Sequence, residues 1–155
     1  MIQRIQTVFL FFVSVAMGVC LLTTLWTKTA ANEVAKLTAF SMTHTQGERV
    51  LHEVTTVYLG ILAVVSAGIA IFSIFQYRNR LRQMLLGMIN AILMAINLGL
   101  SLYFTFQGAA YFDAAQRGTY ATGFYAIAAG LFCNAIANRF IRRDENLVRS
   151  ADRMR

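Results

Sequence analysis

The sequence predicts an all-α membrane protein: four transmembrane helices in an up-down antiparallel bundle, N-in and C-in. Three observations predict it. The chain is 57% hydrophobic and only 14% charged over 155 residues, against about 45–50% and about 25% in a soluble domain. Four stretches are long enough for a bilayer, which takes roughly 20 apolar residues: about 7–26, 56–76, 83–106 and 119–140. None of them holds an acid or a base before its last residues. The charges are also sorted. With the N-terminus inside, the inner segments hold Arg4, Arg78, Arg80, Arg82, Arg139, Arg142, Arg143, Arg149, Arg153 and Arg155 against Asp144, Glu145 and Asp152. The outer segments balance Lys28, Lys36, Arg49 and Arg117 against Glu33, Glu48, Glu53 and Asp113. Cytoplasmic loops collect Lys and Arg, so the whole net charge of +7 records topology and does not require nucleic acid.

The first stretch, TVFLFFVSVAMGVCLLTTLW, follows a basic residue as a signal peptide would. It is too long for one and meets no A-x-A-like site, so it reads as a retained span. The absence of proline favours unbroken helices, since Pro costs about 3 kcal/mol in a helix interior. The outer loop 27–55 is the one sizeable extramembrane region. Within it KLTAFSMTHT alternates weakly, which allows a short strand or hairpin, and GERVLHEV extends the second helix outward. The inner turn QYRNRLRQ makes spans two and three antiparallel neighbours. Span four, diluted by Gly, Ala, Thr and Asn, inserts most easily against other helices. Trp26, Tyr58, Tyr103 and Tyr120 fall at outer ends and Tyr77 at an inner end, as an interfacial aromatic belt requires.

Polar side chains inside spans are the first place to look for chemistry. Asn90, Asn97 and Ser101 share one face of span three, and Asn134 and Asn138 one face of span four. They suit either interhelical hydrogen bonds, at about 0.6 kcal/mol each, or a polar path. Ala63, Ser66, Ala67 and Ala70 on span two, and Gly123, Ala126, Gly130 and Ala137 on span four, form small-residue faces for close helix approach, within the chain or in a homo-oligomer. His44, Glu48 and His52 would share a face only on a helix that Thr43, Thr45 and Gly47 disfavour; they read as solvated loop residues, so no metal and no cofactor is expected. Cys20 and Cys133 differ in depth by about 9 Å at 1.5 Å per residue, too far for a disulfide.

The ending divides in two. Arg139, Arg142 and Arg143 form a collar which, with Arg78, Arg80 and Arg82, would meet anionic headgroups at about 1 kcal/mol each. The tail 141–155 continues, from Asp144, with no net charge. Its Glu145–Arg149 and Arg149–Asp152 spacings and its Leu147, Ala151, Met154 stripe suit a short amphipathic helix that docks a partner.

The opening MIQRIQT, the arginine-rich turn QYRNRLRQ and the closing RDENLVRSADRMR resemble those of the domain of unknown function 4293 family, small four-span membrane proteins of Bacteroidota. The resemblance covers the whole chain and implies an inner-membrane location; it carries no activity and no catalytic residues. No catalytic triad, phosphate loop, paired carboxylate or intramembrane charge is present. The expected function is therefore a non-enzymatic accessory or structural subunit of a membrane complex. The alternative is a small-solute or lipid-ligand binding or transport protein that uses the intramembrane asparagines.

Overall fold

Residues 27–55 do not form a loop. In the computed structural model their described residues, with Trp26, build four strands, and the described residues of the chain form four helices and a five-stranded antiparallel sheet. The all-α expectation is thereby corrected. The structure describes residues 2–30, 33–47, 49–76, 79–110 and 118–152, with side chains described at all of these except 2–4 and 148–152.

The elements run α1 Ile2–Leu22, β1 Trp26–Ala30, β2 Glu33–Leu37, β3 Ser41–Gln46, β4 Arg49–Thr55, α2 Val57–Phe75, α3 Arg80–Ala109, β5 Thr119–Tyr120 and α4 Thr122–Asp152. The sheet order is β4-β3-β2-β1-β5. It is a meander of neighbouring strands, with β5 arriving from between α3 and α4. GERVLHEV, expected to extend the second helix outward, instead supplies β4 from Arg49 onward. Gly47 takes a φ of 58°, the left-handed turn conformation that glycine adopts without strain, and reverses the chain. Val50, Val54 and Thr55 then supply β-branched residues suited to a strand. Strands β1, β2 and β3 show the period-two burial of a sheet with one covered face: Trp26 and Lys28, Ala35 and Leu37, Met42 and His44 are buried. The first and fourth spans are correspondingly shorter at this end, because Trp26 and the pair Thr119–Tyr120 belong to strands.

The helices pack in a ring: α1 against α2 and α4, and α3 against α2 and α4. Their buried positions advance in steps of three and four. On α1 these are Gln6, Leu10, Val13, Met17 and Cys20; on α4 they are Gly123, Ile127, Gly130, Asn134, Ala137 and Ile141. A mean step near 3.5 keeps one seam facing its neighbours, as in left-handed packing. Outside the seam the helices are apolar and exposed: Val8, Phe11, Phe12, Ile61, Val64, Phe72, Leu85, Ile92 and Phe132 all face outward.

The sheet is tied to the helix ends by backbone hydrogen bonds. Helix N-termini leave unpaired N–H groups, and here strand-region carbonyls accept them. Gly60 N–H donates to Ala39 O (2.9 Å) and Gly123 N–H to Thr24 O (3.0 Å). Thr56, fully buried, adds its N–H to Phe40 O (2.9 Å) and its hydroxyl to Thr38 O (3.2 Å). At the other polarity, Lys28 Nζ donates to Ala109 O (3.3 Å), placing a cation at the C-terminus of α3, where the helix dipole favours one. Trp26, expected in an interfacial belt, is instead 2% exposed and the largest fully buried side chain. It lies over Gly108 and Gly118, with Met42 beside it on Gly108. Tyr58 and Tyr103 are exposed; Tyr77 lies outside the described residues.

Candidate functional site

The polar side chains singled out from the sequence converge inside the ring of helices. On α3 the buried positions are Gln83, Gly87, Asn90, Met94, Asn97, Ser101, Thr105 and Gly108. Met94 is their only large apolar member, so a helix embedded in apolar residues turns a polar stripe inward. Two amide groups on this stripe clamp α2. Gln83 Nε2 donates to Ser73 O (3.1 Å), and Asn97 Nδ2 to Leu59 O (3.1 Å). The clamps stand fourteen residues apart on both helices, from 83 to 97 and from 73 to 59, about 21 Å at 1.5 Å per residue. From α4, Asn134 Nδ2 donates to Gly87 O (2.8 Å). Gly87 also lies directly against the Asn138 side-chain amide, where any Cβ would collide. Ser101 and Thr105 return their hydroxyls to the carbonyls of Asn97 and Ser101, both at 2.8 Å.

Midway between the clamps, at 66 and 90, sit Ser66 and Asn90, 0% and 1% exposed. Neither Ser66 Oγ nor either amide atom of Asn90 has a hydrogen-bond partner among the described residues, and Asn134 Oδ1 shares that condition. By the register of the clamps, Ser66 and Asn90 lie at one depth on neighbouring helices.

The small residues belong to the same interior. Ala63, Ser66 and Ala70 on α2, and Gly123, Gly130 and Ala137 on α4, are buried within the chain, while Ala67 and Ala126 are half-buried. Gly130 admits Met94, Met17 and Ala16. Cys20 and Cys133 are free thiols.

The end opposite the sheet carries Arg80, Arg82, Arg139, Arg142 and Arg143. Arg80 pairs with Asp144 (Nη2 to Oδ2, 3.3 Å) and donates from Nη1 to Asp144 O (3.2 Å). Asp144, read from the sequence as the start of a neutral tail, is thus a tie between α3 and α4. Arg82, Arg139, Arg142 and Arg143 are exposed. The last three line a shallow recess with Asn146 and Leu147, and Arg82 edges a separate groove between α2 and α3. Arg78 and Met154 lie outside the described residues, as do the side chains of Arg149, Ala151 and Asp152, whose backbone continues α4. Leu147 is exposed on that extension.

At the sheet, His44 and His52 stand opposite each other on β3 and β4, not on one helix. His44 Nε2 is 3.2 Å from Glu33 Oε2, and Gln46 Nε2 donates to Glu33 Oε1 (3.3 Å). Glu48 is outside the described residues. Among the described residues no three metal-ligating side chains gather.

Sequence reasoning missed Gln6, Ser73, Gln83 and Thr105 as interior polar groups, and the Arg80–Asp144 tie. Extending the three-four step of α3 outward from Asn90 and Asn97 would have found Gln83 and Thr105. The ion pair, 64 residues apart in the chain, left no local signal.

Four helices long and apolar enough to cross a membrane, Ile5–Leu22, Val57–Phe75, Arg80–Ala109 and Thr122–Leu147, with polar groups turned inward and a small sheet at one end, give the chain the build of a small helical membrane protein. It belongs to the family described as Domain of unknown function (DUF4293), whose family model matches residues 2–154. No curated protein matches the chain.

Proposed function

We propose that the protein is a non-enzymatic accessory or structural subunit of a complex in the bacterial cytoplasmic membrane, with both termini in the cytoplasm and the sheet on the far side. One observation carries this reading: Gln83, Asn97 and Asn134 give their amide hydrogens to backbone carbonyls of neighbouring helices. Those groups serve packing, and packed helices suit a scaffold. The orientation follows from charge, since Lys and Arg are retained on the cytoplasmic side and the net charge of +7 gathers at the arginine end. Anionic headgroups then surround the arginines, and the α4 extension with exposed Leu147 faces a second copy or a larger membrane complex.

The test is purification of tagged protein in gentle detergent with identification of what accompanies it, repeated after deleting residues 145–155. That deletion spares Asp144 and its tie to Arg80. Loss of specific companions supports the reading; an unchanged set contradicts the docking role of the extension. A reporter fused after Arg155 that reads periplasmic would overturn the orientation.

A second reading, a small-solute binding or transport protein, is favoured by the Ser66–Asn90 layer, whose polar atoms find no partner among the described residues. In hydrocarbon each such group costs several kcal/mol unless something meets it. Solute uptake by reconstituted vesicles that falls at least tenfold on Asn90→Leu, with the helices intact, would establish this reading over the first.

A further inference from the structure

The groove between α2 and α3 has two chemically distinct ends. Arg82 and Gln76 stand at its edge near the helix ends; Phe72, Leu85, Leu86 and Ile89 line the rest, enclosing about 300 Å³. Arg82 and Ile89 are seven residues apart on one helix, so the groove extends about 10 Å along the helix axis. Among the described residues no acid lines it. Arg80, two residues earlier on α3, is held by Asp144, whereas Arg82 is exposed and reaches the groove. A guanidinium at the surface end and an apolar trough running inward match one molecule with a negative head and a hydrocarbon tail.

We propose that this groove is a binding site for a single anionic phospholipid, of the phosphatidylglycerol class. The Arg82 guanidinium takes the headgroup phosphate, for which a planar N–H fork is well shaped. Gln76 offers a further hydrogen bond at the same level, and an acyl chain lies against Phe72, Leu85, Leu86 and Ile89. The inference rests on the reading that the arginine end lies at the membrane surface, and it names a partner for that end. The arginines then divide the work: Arg80 joins helices, and Arg82 selects a headgroup.

The test uses the full chain in detergent micelles, where sidedness plays no part, so its failure is distinct from a failure of the proposed orientation. Phosphatidylglycerol and phosphatidylethanolamine with identical acyl chains are offered in turn, and retained lipid is counted by native mass spectrometry. The expected result is one retained phosphatidylglycerol per chain, preferred about fivefold, the selectivity that one surface arginine confers. Arg82→Gln brings the two lipids to parity. Leu86→Trp, or Leu85→Trp should the first variant lose helicity, fills the trough and removes retained lipid of both kinds. Arg49→Gln, exposed on β4 and away from the arginine end, keeps the preference. Equal retention of both lipids by the unaltered chain, or a preference that survives Arg82→Gln, overturns the proposal.

Discussion

The sheet and the helices differ in the side chains they turn inward. In the sheet Trp26, Leu37 and Met42 point inward, while Thr29, Lys36 and Glu53 point outward. In the helices Ser66, Asn90, Asn97 and Asn134 are inside, while Val64, Phe72, Ile92 and Phe132 are outside. On the proposed membrane reading, water around the first region makes burial of apolar surface the driving force. On the same reading, hydrocarbon around the second removes that force, because lipid tails are as apolar as the side chains, and leaves close packing and hydrogen bonds to hold helices together. On the proposed membrane reading one chain meets two solvents, and the Thr56, Gly60 and Gly123 backbone contacts join the two regions.

The contrast can be broken most severely at its joint. Trp26→Ala should cost about 3–5 kcal/mol, the range for emptying a large buried aromatic site, read as a lowered thermal midpoint in detergent. The sheet should be released while helical content, followed by circular dichroism, is retained. Next comes a charge on an outward face. Ile92, 60% exposed and near the middle of α3, should cost about 2.5–3.5 kcal/mol of insertion as Ile92→Arg. Thr29→Arg, outward on the sheet, should stay within about 0.5 kcal/mol. Equal tolerance at both positions would remove the distinction.

A finer comparison lies within the polar interior. Asn134→Leu deletes the bond to Gly87 O and should lower stability by about 0.6–1.7 kcal/mol. Asn90→Leu keeps the branched outline and removes two amide atoms that have no partner among the described residues, so it should be neutral or stabilising. Unfolding of both variants side by side checks the order. A modest loss belongs to Arg80→Gln, about 0.5–1 kcal/mol for a partly exposed pair, measurable as earlier fraying of the α4 extension by hydrogen exchange.

The helices were legible because twenty uncharged apolar residues announce themselves locally. The inward asparagines were legible because seven- and four-residue spacings place Asn90, Asn97 and Ser101 on one face. The sheet was hidden for a different reason. Its strands are five to seven residues long, apart from the two-residue β5, and Lys28 and His44 occupy buried positions, so the alternation of apolar and polar residues is interrupted where the strand faces inward. Trp26 misled in the same way: beside a span it reads as an interfacial anchor, and only the pairing of Trp26 with Leu37 and Tyr120 places it in a core. Asp144 looked like one tail charge among several until α3 came within reach of it.

The central claim is that hydrocarbon surrounds the helices and water surrounds the sheet. Single nitroxide labels at Ile92 and at Thr29, each in a Cys20→Ala, Cys133→Ala background reconstituted in lipid, test it most directly. Collision with oxygen reports hydrocarbon, and collision with a water-soluble nickel chelate reports water. The label at Ile92 should meet oxygen and be shielded from nickel, and the label at Thr29 should do the reverse. Nickel access at Ile92 equal to that at Thr29 would contradict the account.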